Sequence, residues 1–156
     1  MRVLAAEDSD AKWERVEPIV RDVLAAVEIV RVRDLYEAER EIERPGWSLL
    51  LLDISLDIRT ASSPTGRGAH DHTGGLKLAG RMFYNECEIP TIVITGFDAF
   101  PTSRTTMETE VILGLEDVLR EARKFLGVHL LGTVRVGVGD WAAQLRQLLT
   151  EVQCTS

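Results

Sequence analysis

Three acidic side chains in this sequence follow predicted strands and could together hold a divalent cation. Asp53 ends a largely apolar run, residues 47–52, which is typical of a strand buried on both faces of a parallel sheet. Glu7 and Asp8 follow a second apolar segment, residues 2–6. Because ligand sites of parallel sheets lie just outside the carboxyl ends of the strands, the three carboxylates should converge if these strands are neighbours. A hard cation with oxygen ligands, such as Mg²⁺, would offset their mutual repulsion.

The remaining segments alternate between strand patterns and helix patterns. Strands are predicted at residues 2–6, 27–32, 47–53, 90–95 and 128–136, and helices at residues 9–26, 35–43, 76–85, 105–126 and 141–152. Strands that alternate with helices form a parallel sheet covered on both faces, and right-handed crossovers make that sheet doubly wound. The sequence therefore predicts an α/β fold with three layers and a five-stranded parallel sheet, in a single domain spanning residues 1–156.

Helical periodicity also predicts the buried sides of the later helices. In the third helix Leu76, Ala79 and Phe83 fall at helical spacing and should face the core, with Met82 beside them. The last helix should turn four large apolar residues inward: Trp141, Leu145, Leu148 and Leu149.

Residues 55–74 interrupt the alternation with a long polar segment. A loop of this length in a compact domain is usually functional or mobile. Its His70-Asp71-His72 sequence invites a zinc interpretation, but two histidines without a second ligand cluster favour ordinary solvated residues. Residues 66–75 are rich in glycine but lack the lysine and the spacing of a phosphate-binding loop.

Composition excludes several classes of function. The formal net charge is −7 and no basic cluster is present, so nucleic acid is not an expected partner. No apolar stretch approaches the ~20 residues that span a bilayer, and no basic leader precedes an apolar core. A membrane is therefore not an expected partner either, and a cytoplasmic location is predicted. Cys87 and Cys154 are too few and too distant for a disulfide framework.

The acidic residues, and the order of the elements that carry them, resemble response-regulator receiver domains, the phosphoacceptor modules of two-component signalling. The resemblance rests on Glu7-Asp8 after the first strand, Asp53 after the third and Thr95 after the fourth, and it covers nearly the whole chain. It implies a flavodoxin-like strand order of 2-1-3-4-5. It also implies that Asp53 accepts a phosphoryl group from a histidine kinase or phosphotransfer protein. By the same resemblance Glu7, Asp8 and Asp53 hold Mg²⁺ with the backbone carbonyl of Ser55, and the Thr95 hydroxyl is the switch that contacts the phosphoryl group.

The sequence also departs from the receiver pattern. Receivers carry a lysine at the end of the fifth strand, usually followed by proline, and this lysine pairs with the phosphoryl group. Here Arg135 is the only cation near that position and is the candidate substitute. The inward-turning aromatic residue often found on that strand is also absent, since the strand offers Leu130 and Leu131.

Three functional hypotheses follow from these features. The first is a stand-alone receiver that accepts phosphate on Asp53 with Mg²⁺ and signals by contact with a downstream protein that the sequence does not identify. Its enzymatic activity would be limited to self-phosphorylation from a phosphodonor and slow self-dephosphorylation. The second is a degenerate receiver-like module that binds partners without phosphorylation. The third is a small phosphohydrolase, disfavoured because Ser55 stands where the haloacid-dehalogenase type needs a second aspartate. The long helix predicted after Thr95 could supply a homodimer face.

Overall fold

The computed structural model describes residues 1–58, 73–96, 99–106 and 109–155. The elements, in chain order, are β1 (Arg2–Ala6), α1 (Asp10–Val23), β2 (Glu28–Val32), α2 (Leu35–Ile42), β3 (Leu49–Asp53), α3 (Gly74–Tyr84), β4 (Thr91–Thr95), β5 (Ala99–Thr106), β6 (Thr109–Gly114), α4 (Leu115–Leu126), a short 3₁₀ turn (Gly127–His129), β7 (Leu130–Arg135) and α5 (Trp141–Thr155). The segment His70-Asp71-His72, and with it most of the loop predicted at residues 55–74, lies outside the described residues.

Five of the strands form one parallel sheet in the order β2-β1-β3-β4-β7. Counted among themselves these strands have the order 2-1-3-4-5, so the prediction of a flavodoxin-like doubly wound sheet is confirmed. β3 lies between β1 and β4, with Ala6 opposite Leu52 and Ile94 opposite Asp53. The carboxyl ends of β1 and β3 are therefore adjacent, as the position of the acidic residues requires.

The apolar run before Asp53 is explained by a separate core on each face of the sheet. Leu50 and Leu52 pack on the face covered by α2, α3 and α4. Leu49 and Leu51 pack on the opposite face, with α1 and α5. All four leucines are fully buried, and each contributes roughly 1.5–3 kcal/mol of transfer free energy. A strand whose side chains are buried in a core on each face of the sheet cannot alternate polar with apolar residues.

Helix α1 begins at Asp10, one residue after the predicted start, and ends earlier than predicted. The side chain of Ser9 accepts a hydrogen bond from the backbone N–H of Lys12 at 3.2 Å, which caps the first turn. Pro18 lies inside the helix, which continues to Val23. The predicted end at residue 26 is wrong because Ala26 has a φ of 52°, in the left-handed region that a right-handed helix does not use.

The helix predicted at residues 105–126 is wrong over its first half. β5 and β6 form a two-stranded antiparallel sheet of their own, and α4 is limited to Leu115–Leu126. The segment 102–109 is rich in threonine, whose branched Cβ favours strands over helices. Gly114 then stands at the N-cap of α4, and Glu116 and Asp117 occupy its first turn, where negative charge is favourable.

Helix α3 shows one further difference from the sequence pattern. Leu78, Ala79 and Met82 are buried, whereas Phe83 is 55% exposed and lies beside Phe125 of α4 with 6.1 Å between ring centroids. The predicted burial of Phe83 is therefore wrong, while that of Ala79 is confirmed. In the described part of the chain no helix combines the length and the apolar character needed to cross a bilayer.

Candidate functional site

The three predicted acidic residues meet at the carboxyl edge of the sheet. Glu7 and Asp53 are fully buried, and Asp8 is partly buried. Each offers one carboxylate oxygen, and these oxygens lie within 4.8 Å of one another. The geometry expected from the sequence, in which acids from separate strands converge on one point, is therefore present.

Asp53 is held in place by the turn that follows β3. Its Oδ1 accepts a hydrogen bond from the backbone N–H of Ser55 at 3.1 Å, and its Oδ2 accepts one from the Ser55 hydroxyl at 2.7 Å. An aspartate that bonds the backbone two residues ahead is the usual device of a tight turn. The receiver resemblance implied a role only for the backbone carbonyl of Ser55, so the hydroxyl contact is a second role for this residue.

A buried lysine, which the sequence analysis missed, joins two of the three carboxylates. The Nζ of Lys12 lies 2.8 Å from Asp53 Oδ2 and 3.0 Å from Glu7 Oε2, and its side chain is only 8% exposed. Lys12 belongs to the first turn of α1, which starts at the same edge of the sheet. Its sequence signal was a cation at helical spacing with Val16 and Val20, on the buried side of an amphipathic helix.

Burial and crowding shift the proton affinities of these groups. The pKa of Glu7 is raised from 4.5 to about 7, first by burial and then by the Asp53 charge, against the lowering effects of Lys12 and of the Ser9 N–H, which donates to Glu7 Oε1 at 2.9 Å. The pKa of Asp8 is also raised, by burial and by Asp53. Burial alone would lower the pKa of Lys12, but the charges of Asp53 and Glu7 outweigh it and raise that pKa. Lys12 therefore stays charged at neutral pH.

Arg31 of β2 braces the loop that carries the acidic pair. Its Nε donates to the backbone carbonyl of Glu7 at 2.8 Å, and its Nη1 contacts Asp10 Oδ1 at 2.7 Å. Arg33 also contacts Asp10, at 2.8 Å, from the exposed side. The loop between β1 and α1 is thus tied to the neighbouring strand, which fixes Glu7 and Lys12 relative to each other.

The first two residues of helix α3, Gly74 and Gly75, pack directly against the backbone of the turn that follows Asp53. A Cβ on Gly75 would lie 2.0 Å from the carbonyl oxygen of Asp53, and one on Gly74 would lie 2.2 Å from that of Leu56. The Gly75 N–H donates to the carbonyl of Ile54 at 3.1 Å. Only glycine allows this approach, so the pair Gly74-Gly75 is a structural requirement of the site.

The other predicted residues lie on the far side of the edge. Thr95 ends β4 and is fully buried, and its backbone carbonyl accepts a hydrogen bond from Val136 N–H at 2.8 Å. Arg135 ends β7 in register with Thr95. A cavity of about 490 Å³ opens beside the carboxylates and is bordered by Asp8, Ser9, Ala11, Lys12, Arg15, Ser55, Gly96 and Val136. Among the described residues at the end of β7, it is Val136 rather than Arg135 that borders this cavity.

Comparisons with known proteins found similarity in structure but not in sequence. No family model matches the chain, and no curated protein is significantly similar to it. A CheY-like response regulator receiver domain protein from Methanospirillum hungatei superimposes with a TM-score of 0.59 at 17% identity, covering 99% of this chain and 98% of that one. A signal receiver domain of a two-component histidine kinase from Clostridium thermocellum gives a TM-score of 0.65 at 14% identity, covering 97% and 95%. The Mn²⁺-bound form of response regulator Rcp1 gives 0.60 at 17% identity, covering 94% and 90%. Over nearly its whole length, this chain has the fold of CheY-like response-regulator receiver domains.

Proposed function

We propose that this protein is a receiver that accepts a phosphoryl group on Asp53, with Mg²⁺, and signals through contact with another protein. The observation that carries the proposal is the buried Asp53, with Glu7 and Asp8 within 4.8 Å of it, beside a cavity that a small donor could enter. In a receiver fold this acidic cluster lies at the edge of the sheet where ligands of parallel sheets bind.

The donor atoms of the cluster fit a hard divalent cation. All are carboxylate oxygens, and with Lys12 charged the three acids retain two negative charges when all are ionised. The buried Glu7 Oε2 contacts Lys12 Nζ at 3.0 Å, so this oxygen already faces a cation. Glu7, Asp8 and Asp53 would hold Mg²⁺ together with the carbonyl of Ser55. The bound ion would supply positive charge against the phosphoryl oxygens as the carboxylate approaches them.

The proposed transfer uses Asp53 as the nucleophile. With acetyl phosphate as donor, one carboxylate oxygen of Asp53 bonds to phosphorus, the bond from phosphorus to the acetyl oxygen breaks, and its electron pair leaves with acetate. The Ser55 N–H, at 3.1 Å from Oδ1, orients the attacking carboxylate. The Thr95 hydroxyl would then donate to a phosphoryl oxygen, and the chain after β4 would settle in a second position, which is the switch.

The expected partners follow from this chemistry. A histidine kinase or phosphotransfer protein would supply the phosphoryl group, and a downstream protein would recognise the phosphorylated state. The likeness to a receiver of a histidine kinase from Clostridium thermocellum supports the class of donor through the shared fold. We propose a cytoplasmic location for this exchange.

One observation favours a second function, a receiver-like module that binds partners without phosphorylation. Lys12 already neutralises charge on Glu7 and Asp53, so the cluster is partly compensated without any bound ion. In addition, the valine at position 136 borders the cavity at the end of β7, close to where receivers carry a lysine. A site locked by its own lysine could keep one conformation permanently.

A phosphorylation assay separates the two functions. The protein is incubated with Mg²⁺ and acetyl phosphate, or with beryllofluoride, and its intact mass and its NMR spectrum are recorded. We expect the mass of one added phosphoryl group and a beryllofluoride-dependent spectral change in the natural protein and in Asp22→Asn, an exposed carboxylate near the other end of α1. Asp53→Asn should show neither. No response in any of the three proteins supports the phosphorylation-independent module, whereas steady phosphate release over many turnovers indicates a hydrolase.

A further inference from the structure

The position of Lys12 carries an inference beyond the acidic cluster itself. Its ammonium group bridges Asp53 Oδ2 and Glu7 Oε2, which belong to two of the three proposed metal ligands. Both carboxylates are fully buried and Lys12 nearly so, which means that water screens these contacts very little. The charge of Lys12 therefore already offsets part of the repulsion between Glu7 and Asp53, as a divalent cation would.

Lys12 and a divalent ion compete for the same oxygens. Glu7 and Asp53 can bind a dication closely only if the ammonium group withdraws from the space between them, because the two positive charges repel each other at short range. The lysine stem permits such a movement, since it has four rotatable bonds and its head is a compact charge. The side chain also has room to move, because the cavity lies directly beside it.

Small, uncharged neighbours lie along the Lys12 side chain near Asp53. Its Cδ lies 3.8 Å from the point that a Cβ of Gly96 would occupy, so its stem runs along the end of β4. Val136 borders the same cavity without adding a charge. Arg15, the other cation on this wall, is exposed and stacks over the Trp141 ring at 5.1 Å. Of the two described cations that border this cavity, Lys12 is thus the better placed to meet a group added to Asp53.

We propose that Lys12 is the exchangeable cation of this site: it occupies the carboxylates while no metal is bound, and it pairs with the phosphoryl group once a divalent ion has displaced it from Glu7. In this chain helix α1 would then supply the cation that receivers carry on the last strand of the sheet. The first half of the proposal concerns metal binding alone, and only the second half rests on the proposed phosphorylation of Asp53.

Calorimetric titration of the protein with Mg²⁺ alone tests the first half. Lys12→Met keeps an unbranched apolar stem and removes the competing charge, so we expect it to bind Mg²⁺ roughly tenfold more tightly than the natural protein at pH 8. Arg15→Met is the matched control, because it removes a cation from the same cavity wall without touching the acids, and its affinity should stay within about twofold. Unchanged or weaker Mg²⁺ binding by a folded Lys12→Met protein overturns the competition.

A measurement on the natural protein covers the case in which Lys12→Met does not fold. The chain contains three lysines, Lys12, Lys77 and Lys124, and the last two are exposed. Protein labelled with ¹³C at the lysine Cε should give three signals, which Lys77→Arg and Lys124→Arg assign by elimination. Mg²⁺ should shift the Lys12 signal far more than the other two. A Lys12 signal that does not move at saturating Mg²⁺ contradicts the displacement.

The rate of phosphorylation tests the second half. With saturating Mg²⁺ and acetyl phosphate, Lys12→Met should be phosphorylated on the order of 10–100 times more slowly, although it binds the metal more tightly, because the developing phosphoryl charge loses its cation. Arg15→Met should react at nearly the natural rate. Equal rates in Lys12→Met and the natural protein overturn the pairing with the phosphoryl group. If the natural protein is not phosphorylated at all, the proposed function and this half fail together, and the titration and NMR results still decide the competition.

Discussion

The two halves of the carboxyl edge of this sheet differ sharply in charge and packing. The half formed by β1 and β3 crowds three carboxylates together: Glu7, Asp8 and Asp53. The half formed by β4 and β7 borders the cavity with the uncharged residues Gly96 and Val136, and Arg135 at the end of β7 is not among the described residues that line it. The cation that balances the acids comes from a helix, since Lys12 belongs to α1. The difference teaches that the charge balance of this edge depends on how α1 packs against the sheet as well as on the strands themselves.

The uncharged half makes room for the cations of α1. A Cβ on Gly137 would lie 3.3 Å from a guanidinium nitrogen of Arg15, and the φ of this glycine is +91°. Gly96 stands in the same relation to Lys12, at an ordinary contact distance of 3.8 Å from Cδ. The missing side chains at Gly96 and Gly137 therefore leave space for Lys12 and Arg15 of α1.

The largest effect should come from Gly75→Ala in the acidic half. The added Cβ would fall 2.0 Å from the Asp53 carbonyl oxygen, so α3 must move away or the turn after β3 must deform. We expect a loss of roughly 4 kcal/mol in the free energy of unfolding, measured by chemical denaturation.

Gly96→Ala in the uncharged half is the matched control. Its Cβ meets Lys12 Cδ at 3.8 Å, which is ordinary van der Waals contact, and the stability should change by less than about 0.5 kcal/mol. Similar losses in the two variants would show that the acidic half is not the more tightly packed one.

The next largest effect should be a pH dependence carried by Glu7. The folded protein holds this proton up to a pKa of about 7, whereas the unfolded chain releases it near 4.5, so the folded state binds more protons between these values. The contribution of Glu7 to stability therefore falls as the pH rises from 4.5 to about 7. Relative to Glu7→Gln, the natural protein should lose on the order of 3 kcal/mol over this range in metal-free buffer. Parallel stability curves for the two proteins would contradict the raised pKa.

A smaller effect is expected from Arg31→Met, which removes the brace of the acidic loop. The bond from Nε to the Glu7 carbonyl is largely shielded from water, because the Arg31 side chain is 14% exposed, and losing it should cost about 2 kcal/mol in denaturant unfolding. Arg33→Met is the comparison variant: Arg33 is 57% exposed and contacts only the outer side of the same network. It should change stability much less. Equal losses would assign the effect to surface charge in general.

The smallest effect on stability should come from Asp53→Asn. An asparagine oxygen can still accept from the Ser55 N–H, and removal of one crowding charge allows Glu7 to ionise beside Lys12. We expect the melting temperature to stay within about 2 °C of the natural value in a thermal scan, although the variant should accept no phosphoryl group. A clear fall would mean that the ion pair between Lys12 and Asp53 stabilises the fold more than carboxylate crowding destabilises it.

The sheet and the acidic residues could be predicted because both leave local patterns in the sequence. A strand buried on two faces needs a continuous apolar run, and Leu49 to Leu52 provide it. A carboxylate directly after such a run must lie at the carboxyl edge. The resemblance to receivers then supplied the strand order, which local patterns do not contain.

Lys12 and the β5–β6 hairpin escaped prediction for different reasons. Lys12 lies at a core position of α1, and a polar residue there has a partner that only the tertiary structure reveals. The hairpin depends on pairing between β5 and β6, in which Ala99 lies opposite Gly114, whereas helical periodicity is judged within a short window. The same limitation misplaced Phe83, whose 3.6-residue spacing fits the buried side although it lies at the margin of that side.

The contact between the two ends of the segment after β3 has a practical consequence for protein engineering. The Cβ position of Gly74 would be 3.3 Å from the Ile58 side chain, so the described residues on either side of positions 59–72 lie next to each other. On the near side the Asp57 carbonyl accepts from Leu35 N–H at 2.9 Å, which anchors that end independently. Any segment that joins positions 58 and 73 therefore has only a short distance to bridge, and an insertion between them should be tolerated. A fluorescent reporter inserted there should leave Ser55 and Gly75, which support Asp53, in place.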